Sequence, residues 1–208
     1  MLNTVLTNIA DALNDYIVLR ERTPGDKPLE NSVVVSPLLN QLGEVSPRCE
    51  DKIVMVLVNI AQENVLTAKS QFGSVVSTNT STYYRNAPVW LNLDVLFIAN
   101  FNDDAFGPGL SHLSHVISFF QQRPALDASN TPGLHPNIEK LHIKMESLSR
   151  QDQSFLWGAM GAKLLPSALC VTAGLTLSVN TGPAGSTRGL SMRCQGPDKE
   201  VDVATPNR

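Results

Sequence analysis

The sequence feature that most constrains the fold is a run of fourteen residues, 88–101, in which every second residue is apolar. A period of two is typical of a β-strand that packs one face on a core. A usual strand has about 5 to 6 residues, so this strand is either bulged or extends past the domain body and pairs with something else. Its apolar face contains Val89, Leu91, Leu93, Val95, Phe97, Ala99 and Phe101, and its other face changes from Asn92 and Asp94 to Leu96 and Ile98.

Three further segments predict strands of the same domain. Residues 52–60 are apolar and β-branched on both faces, which is typical of a central strand that is covered on both sides. Residues 139–148 alternate between apolar and polar side chains, so we expect one face of this strand to be exposed to water. The last long alternation has Leu169, Val171, Ala173, Leu175, Leu177 and Val179 on one face.

Apolar residues at helical spacing predict three helices. The first opens the chain, with Asn14 on its polar side, and ends before Pro24. The second follows a turn at residues 103–109 and ends before Pro124. The third begins after Ser149, a residue type suited to capping, and ends at Pro166. The inward positions are Leu2, Val5, Ile9, Ala12 and Tyr16 in the first helix, Leu110, Leu113, Ile117 and Phe120 in the second, and Leu156, Ala159, Met160 and Lys163 in the third.

Together these elements predict an α/β domain of the α+β kind, with a mostly antiparallel sheet of about four to five strands flanked by three to four helices. We expect this domain to span residues 1–180. Residues 74–86, of which eight of thirteen are Ser, Thr or Asn, predict an exposed loop between two strands. Residues 181–208 lack the apolar surface that would offset ordering entropy, so we expect a polar tail, or an arm that orders on a partner.

Composition limits the partners and the compartment. Charged residues make up 17% of the chain and the net formal charge is -3, without the Lys and Arg clusters that bind nucleic acid or an anionic membrane. The sequence has neither a signal-peptide pattern nor a run of about 20 apolar residues, so we expect a soluble protein made in the cytosol. Cys49, Cys170 and Cys194 are scattered singly and are expected to be reduced thiols, with Cys170 packed in a strand.

The sequence shows none of the common nucleotide-binding, nucleophile or metalloprotease patterns. His112 and His115 are three residues apart near Asp103 and Asp104, but no third metal ligand is specified, and surface or capping histidines explain them as well. Ser111, His115 and Asp104 could form a hydrolase triad, but neither a strained turn nor an oxyanion hole is indicated. We therefore expect no catalytic residue, no metal and no cofactor.

Two segments are candidates for contact with other chains. Trp90 lies on the polar part of the long strand, and aromatic residues at such positions are favoured anchors of protein interfaces. In the tail, residues 190–194 could add a strand to a partner through main-chain hydrogen bonds. The candidate interface residues are Trp90, Asn92, Asp94, Leu190, Met192 and Cys194.

Residues 91–178 resemble a known family as a whole. The ordered segments NLDVLFIANF, LSHLSHVISFFQ, TPGL and EKLHIKMESLSRQDQSFLWGAMGAKLLPSALC are similar to the cap, or tube-terminator, family of extracellular contractile injection systems such as the antifeeding prophage and the Photorhabdus virulence cassettes. The opening helix and KIVMVLVNIAQEN agree with that family's start. The matching positions are Asn92, Leu93, Phe97, Ala99, Asn100, Phe101, Leu110, Leu113, Phe119, Phe120, Gln121, Thr131, Pro132, Leu141, Trp157, Pro166 and Ser167.

The resemblance implies a structural protein with a tail-terminator-like fold rather than an enzyme. It implies a hexameric ring that is seated on the last ring of the inner tube and tied to the outer sheath, so the partners would be copies of itself, the tube protein and the sheath protein. Such a phage-tail-like particle is assembled in the bacterial cytoplasm and is then released or anchored to a membrane. The sequence departs from the family's pattern in two segments, DDAFGPG before the second helix and ALC after Ser167. These differences affect local contacts rather than the family assignment.

Three other functions fit the sequence less closely. A baseplate or adaptor component of the same kind of particle would have a similar α/β build. A small Ser hydrolase would have its nucleophile at Ser111 or Ser114. A monomeric binding module would remain a single chain in solution.

Overall fold

The computed structural model describes residues 2–21, 31–63, 75–78, 81–84, 89–131, 134 and 140–177. Within these ranges the helices are α1 (Leu2–Glu21), α2 (Phe106–Gln122) and α3 (Arg150–Met160). The strands are β1 (Val33–Val35), β2 (Lys52–Gln62), β3 (Val75–Thr78), β4 (Ser81–Tyr84), β5 (Val89–Asn100), β6 (Ala125–Asp127), β7 (Lys140–Glu146) and β8 (Ser167–Leu177).

Six of the strands form one sheet in the order β1-β2-β5-β8-β7-β6. β1 runs parallel to β2, and the other neighbours are antiparallel. The long strand β5 lies in the middle of the sheet. Its pairing with β2 shifts register between Leu57 and Asn59, and its pairing with β8 shifts between Leu91 and Leu93. In both places the extra residue lies on the partner strand, β2 or β8. The neighbours of β5 are therefore bulged, whereas β5 itself, for which a bulge was one of the two expectations, continues without an inserted residue.

Helices cover the two faces of the sheet unequally. α1 and α2 pack on one face and form the larger core, where the rings of Tyr16 and Phe119 meet edge-on at 5.3 Å between centroids. α3 and residues 36–49 lie on the other face and form a smaller core. The buried sheet residues of the larger core are Val33, Ile53, Met55, Leu93, Val95, Phe97, Ala99, Leu126, Leu141, Ile143, Ala168, Cys170 and Leu175, and the smaller core consists of Leu38, Cys49, Val54, Leu96, Ile98 and Trp157.

The fold class predicted from the sequence is confirmed, with differences in detail. The main sheet has six strands rather than four to five, and its first strand is parallel to its neighbour. Both additions are edge strands of three residues, β1 and β6, which are too short to show a period in the sequence. Residues 74–86, expected to form a loop, contain the antiparallel hairpin β3–β4, because main-chain pairing does not require apolar side chains.

The two later helices differ from the prediction at their ends. α2 begins at Phe106, because Pro108 is tolerated in a first helical turn. The backbone of Gly109 lies so close to the Phe101 ring that a Cβ at Gly109 would come within 2.6 Å of Cδ2 of Phe101. This side of α2 therefore faces the sheet, which places His112 on the buried side and Leu110 on the exposed side. α3 begins as expected, with Ser149 Oγ accepting from the amide of Asp152 at 3.1 Å. It ends well before Pro166, at the left-handed Gly161.

The last strand, β8, does not keep one apolar face along its length. Leu91 pairs with Leu175, whereas Leu93 pairs with Thr172, so β8 has one residue more than β5 in this interval. The extra residue reverses the alternation. Leu169 therefore packs in the smaller core and Leu175 in the larger, where a uniform alternation had predicted a shared face. Among the described residues, no helix is long and apolar enough to cross a membrane.

Candidate assembly surface

The central strands extend beyond the smaller core at one end of the sheet. On the α3 side, the packed apolar residues of β2 and β5 stop at Val58 and Leu96. Both strands continue in the same direction, to Gln62 and Val89. We call residues 59–63 together with residues 89–94 the distal end. The packing of α3 stops where the distal end begins, which leaves part of the predicted interface, Trp90, Asn92 and Asp94, on this surface.

Polar side chains pair across β2 and β5 at the distal end. Asn59 Nδ2 donates to Asp94 Oδ2 at 2.9 Å, and Asn92 Nδ2 donates to Glu63 Oε2 at 2.8 Å. Asn59 directly opposes Asp94 in the ladder, and Lys144 lies in the same row two strands away from β5. These hydrogen bonds hold two carboxylates in defined orientations on the α3 side of the sheet.

Two polar atoms of the distal end are buried without a hydrogen-bond partner among the described residues. They are Nε1 of Trp90 and Oδ1 of Asn92. A buried polar group without a partner costs about 1 to 3 kcal/mol. Groups of this kind are uncommon in folded proteins; among the described residues they also occur at His112 and Trp157, so they do not by themselves mark a contact site.

The outer edge of β1 is closed by a side chain of α1. Asn14 Nδ2 donates to the carbonyl oxygen of Val33 at 3.0 Å, and Asn14 Oδ1 accepts from the amide of Val33 at 2.8 Å. The carboxamide therefore occupies the place that a neighbouring strand would take. Asn14 was expected on the polar side of α1, but it is buried, because its partner is the main chain of β1 rather than water.

The opposite edge of the sheet is closed in the same way. Asn130 Nδ2 donates to the carbonyl oxygen of Ala125 at 2.9 Å, and Asn130 Oδ1 accepts from the amide of Asp127 at 2.9 Å. Ala125 and Asp127 flank Leu126, which opposes Leu141 of β7. Sequence reasoning missed both asparagines. The only sequence signal for the burial of Asn14 is its position next to the apolar residues Leu13 and Ile17 of the same helix. Asn130 has no distinguishing signal, because asparagine is common in turns.

The two histidines considered as metal ligands contact a carboxylate instead. Nε2 of His112 lies 2.8 Å from Oε2 of Glu21, and Nε2 of His115 lies 3.3 Å from Oε1 of the same side chain. The His112 ring also packs at 5.4 Å, between centroids, from the ring of Phe101. His112 is buried and joins α2 to the end of α1, so it is neither a surface nor a capping residue. Within the described ranges, no group of three metal-ligating side chains is present.

The hydroxyls considered as nucleophiles bind their own helix. Ser111 Oγ donates to the carbonyl oxygen of Gly107 at 3.4 Å, and Ser114 Oγ donates to that of Leu110 at 2.8 Å. His115 contacts Glu21 rather than either serine. The structure therefore does not bring the imagined triad together. The remaining interface candidates, Leu190, Met192 and Cys194, lie outside the described residues.

Comparison with known proteins gives a family match and matches among solved structures. The model of the family described as the Pvc16 N-terminal domain matches residues 4–183. The fold is similar to that of the sheath/tube terminator of PVC, an extracellular contractile injection system, determined by cryo-electron microscopy in the extended state. That similarity has a TM-score of 0.50 and 12% sequence identity, and it covers 96% of this chain and 65% of the terminator chain. No curated protein sequence matches the chain.

Proposed function

The chain belongs to the family of the Pvc16 N-terminal domain, and from this membership we propose that it is a structural terminator, which ends the inner tube and anchors the sheath of a contractile injection system. The observation that carries the proposal is the family match across residues 4–183. The likeness of its fold to the PVC sheath/tube terminator supports the same role. The family resemblance recognised in the sequence is thereby confirmed.

The edges of the sheet suit a protein that ends a polymer. A terminator has to bind the last ring of a tube and leave no surface on which another ring could form. Unpaired strand edges are the commonest template for such addition. Asn14 binds the outer main-chain groups of Val33 in β1, and Asn130 binds the outer carbonyl of Ala125 and the amide of Asp127 in β6. These bonds hinder the addition of a further strand at either edge, as a protein that ends a polymer requires.

In the proposed assembly, copies of the chain form a hexameric ring, and the distal end contacts the inner tube. Trp90, Asn92 and Asp94 would lie in that contact. The side chains of Trp90 and Asn92 are partly exposed, so a partner would contact their accessible atoms, whereas Nε1 of Trp90 and Oδ1 of Asn92 are covered by the chain itself. The carboxylate of Asp94, oriented by Asn59, would meet a cationic side chain of the tube.

Residues 181–208 are proposed to form an arm that is separate from the body at residues 1–180 and reaches the sheath. Leu190, Met192 and Cys194 would belong to a strand that pairs with the terminal sheath subunit. Six arms on one ring would act together, so a weak single contact would suffice. Truncation after Asn180 is expected to leave rings on the tube while the sheath end frays. Truncated particles with normally anchored sheaths would show that the arm has no such role.

The proposed role is structural, without a catalytic residue or cofactor. The particle would be assembled in the bacterial cytoplasm and then released or anchored to a membrane, and the PVC terminator belongs to an extracellular system. A hydrolase function would place the nucleophile at Ser111 or Ser114. Covalent labelling of either serine by a fluorophosphonate probe, mapped by mass spectrometry, would contradict the structural role.

Electron microscopy of the parent particle tests the proposal. Deletion of the chain is expected to give tubes of irregular length with unanchored sheaths, and the wild-type chain should restore them. A label on the restored chain should lie in a ring at the tip remote from the baseplate. A label at the baseplate would instead identify an adaptor component.

A pair of charge reversals tests the contact surface. Asp94→Lys should lower the occupancy of the chain at particle tips, because it places a cation where the partner is expected to supply one. Asp11→Lys reverses the same charge on the exposed side of α1 and should leave occupancy unchanged. Equal occupancy of both variants at particle tips would show that Asp94 does not lie in the contact with the tube.

A further inference from the structure

The edge of β2 is covered by β1 over only part of its length. Val33, Val34 and Val35 pair with Ile53, Val54 and Met55, whereas β2 continues to Gln62. Among the residues that the structure describes, no strand lies beside residues 56–62 on the side away from β5. Residues 56–62 therefore form an edge of β2 that no described strand covers, in contrast to the edges of β1 and β6, where Asn14 and Asn130 bind the main chain.

The register identifies the main-chain groups that point outward along this edge. The amide of Ile53 donates to Ser32 and the carbonyl of Met55 accepts from Ser36, so these two residues face β1. The bulge after Leu57 shifts the alternation by one residue. Beyond it, the amide of Glu63 donates to Trp90, so odd-numbered residues face β5.

It follows that the N–H and C=O groups of Ile60 and Gln62 point away from β5. An added strand would bind both residues through the alternating pattern of a ladder. The Ile60 side chain is 45% exposed, which gives such a strand an apolar contact on the α1 side. Asn59 and Asp94 lie on the opposite face of the sheet. A side chain of the added strand on that face would reach across β2 to the carboxylate of Asp94 on β5, which Asn59 orients.

We propose that the outer edge of residues 59–62, which we call the β2 docking edge, accepts an extended strand of the inner-tube protein, whose basic side chain is the one proposed to meet Asp94. The inference rests on the proposed terminator function. The chemistry of the edge selects a segment in which apolar side chains, which pack against Ile60, alternate with basic side chains, which reach Asp94 beside Asn59. Main-chain bonds supply the affinity, and the alternation sets the register.

Residue-resolved hydrogen exchange on the full chain tests the docking edge directly. In the free chain, the amides of Ile60 and Gln62 should exchange fast, whereas those of Asn59 and Ala61, which face β5, should exchange slowly. In assembled particles, the Ile60 and Gln62 amides should slow by about tenfold or more. Slow exchange of both amides in the free chain, or fast exchange of both in the particle, would overturn the proposal.

A proline substitution tests the same edge by a separate route. Ile60→Pro removes an N–H that points outward, and proline is tolerated at such edge positions. Slow exchange of Asn59 and Ala61 would show that the variant is folded. Its occupancy at particle tips should fall, whereas the matched Ile60→Val, which keeps the N–H, should bind as wild type. A folded Ile60→Pro variant with wild-type occupancy would contradict the proposal.

The outcomes separate this inference from the function on which it rests. If the wild-type chain is absent from the particle tip, the terminator function fails. If the chain is present at the tip but its Ile60 and Gln62 amides remain unprotected, only the docking edge fails. The exchange measurement uses the wild-type chain, so it decides the question even if Ile60→Pro does not fold.

Discussion

The carboxamide of Asn14 binds both main-chain groups of Val33, donating to its carbonyl oxygen at 3.0 Å and accepting from its amide at 2.8 Å. One side chain thus joins α1 to β1 and closes the edge of the sheet. Because Asn14 is only 8% exposed, water cannot replace these bonds without a rearrangement of α1. The pair therefore contributes to stability and limits association through the β1 edge.

Replacement of Asn14 by Leu should destabilise the chain by about 2 kcal/mol or more, because it leaves the N–H and C=O of Val33 buried without partners. The free energy of unfolding, measured by urea denaturation, checks this value. The variant should also associate with itself more than wild type in analytical ultracentrifugation, because the edge is no longer closed. Asn3→Leu, at an exposed position of the same helix, is the control and should change neither quantity.

Trp157 should be the most sensitive aromatic residue of α3. It is 4% exposed at the centre of the smaller core, whereas Phe155 on the same helix is 65% exposed. Trp157→Ala is expected to cost about 3 to 5 kcal/mol of unfolding free energy, and Phe155→Ala less than about 0.5 kcal/mol. Because Nε1 of Trp157 has no partner among the described residues, Trp157→Phe should cost much less than Trp157→Ala. Equal losses for Phe155→Ala and Trp157→Ala would show that α3 packs differently.

His112 should stabilise the fold without binding a metal. His112→Ala removes a buried ring that contacts Glu21 and Phe101, so we expect a loss of about 1 to 3 kcal/mol. His115→Ala should cost less, because its contact with Glu21 is longer and its side chain more exposed. Treatment with a chelator should leave the melting temperature unchanged. A lower melting temperature after chelation, together with bound metal in elemental analysis, would contradict this role.

Cys170 should make stability fall in alkaline solution. Burial raises the pKa of its thiol from 9.0 to about 12, because a thiolate is costly in the apolar core. Below pH 9 the thiol is protonated in both states. Between pH 9 and about 12 the unfolded chain releases the proton and the folded chain retains it, so the free energy of unfolding decreases as the pH rises. Unfolding measurements across this range should show a shallower decrease for Cys170→Ala than for wild type.

Local patterns in the sequence predicted several elements correctly. The period of two along β5 identified Leu93, Val95 and Phe97 as a buried face, and all three lie in the larger core. Ser149 marked the start of α3, and its hydroxyl accepts the expected hydrogen bond. Both predictions depend on residues a few positions apart in the chain, so the sequence contains all the information that they need.

Other features are set by segments that are far apart in the sequence. The burial of Asn14 depends on Val33, and the outward turn of Leu110 follows from the contact of Gly109 with Phe101. The shift that separates Leu169 from Leu175 on β8 is defined only by its pairing with β5. No local period records such contacts.

The sequence by itself determined the class of the domain and the face of β5 that packs in the larger core, because these depend on the order and spacing of apolar residues. The family was recognised from the resemblance of particular residues in order, polar ones such as Asn92 and Gln121 included. Only the tertiary structure decided which strand edges are covered and which is left uncovered by the described residues. A main-chain group is closed or open according to what lies beside it in space, and Asn14 and Asn130 reach their edges through the packing of α1 and the turn after β6. The stretch of β2 that no described strand covers is likewise a property of its neighbours rather than of its own residues.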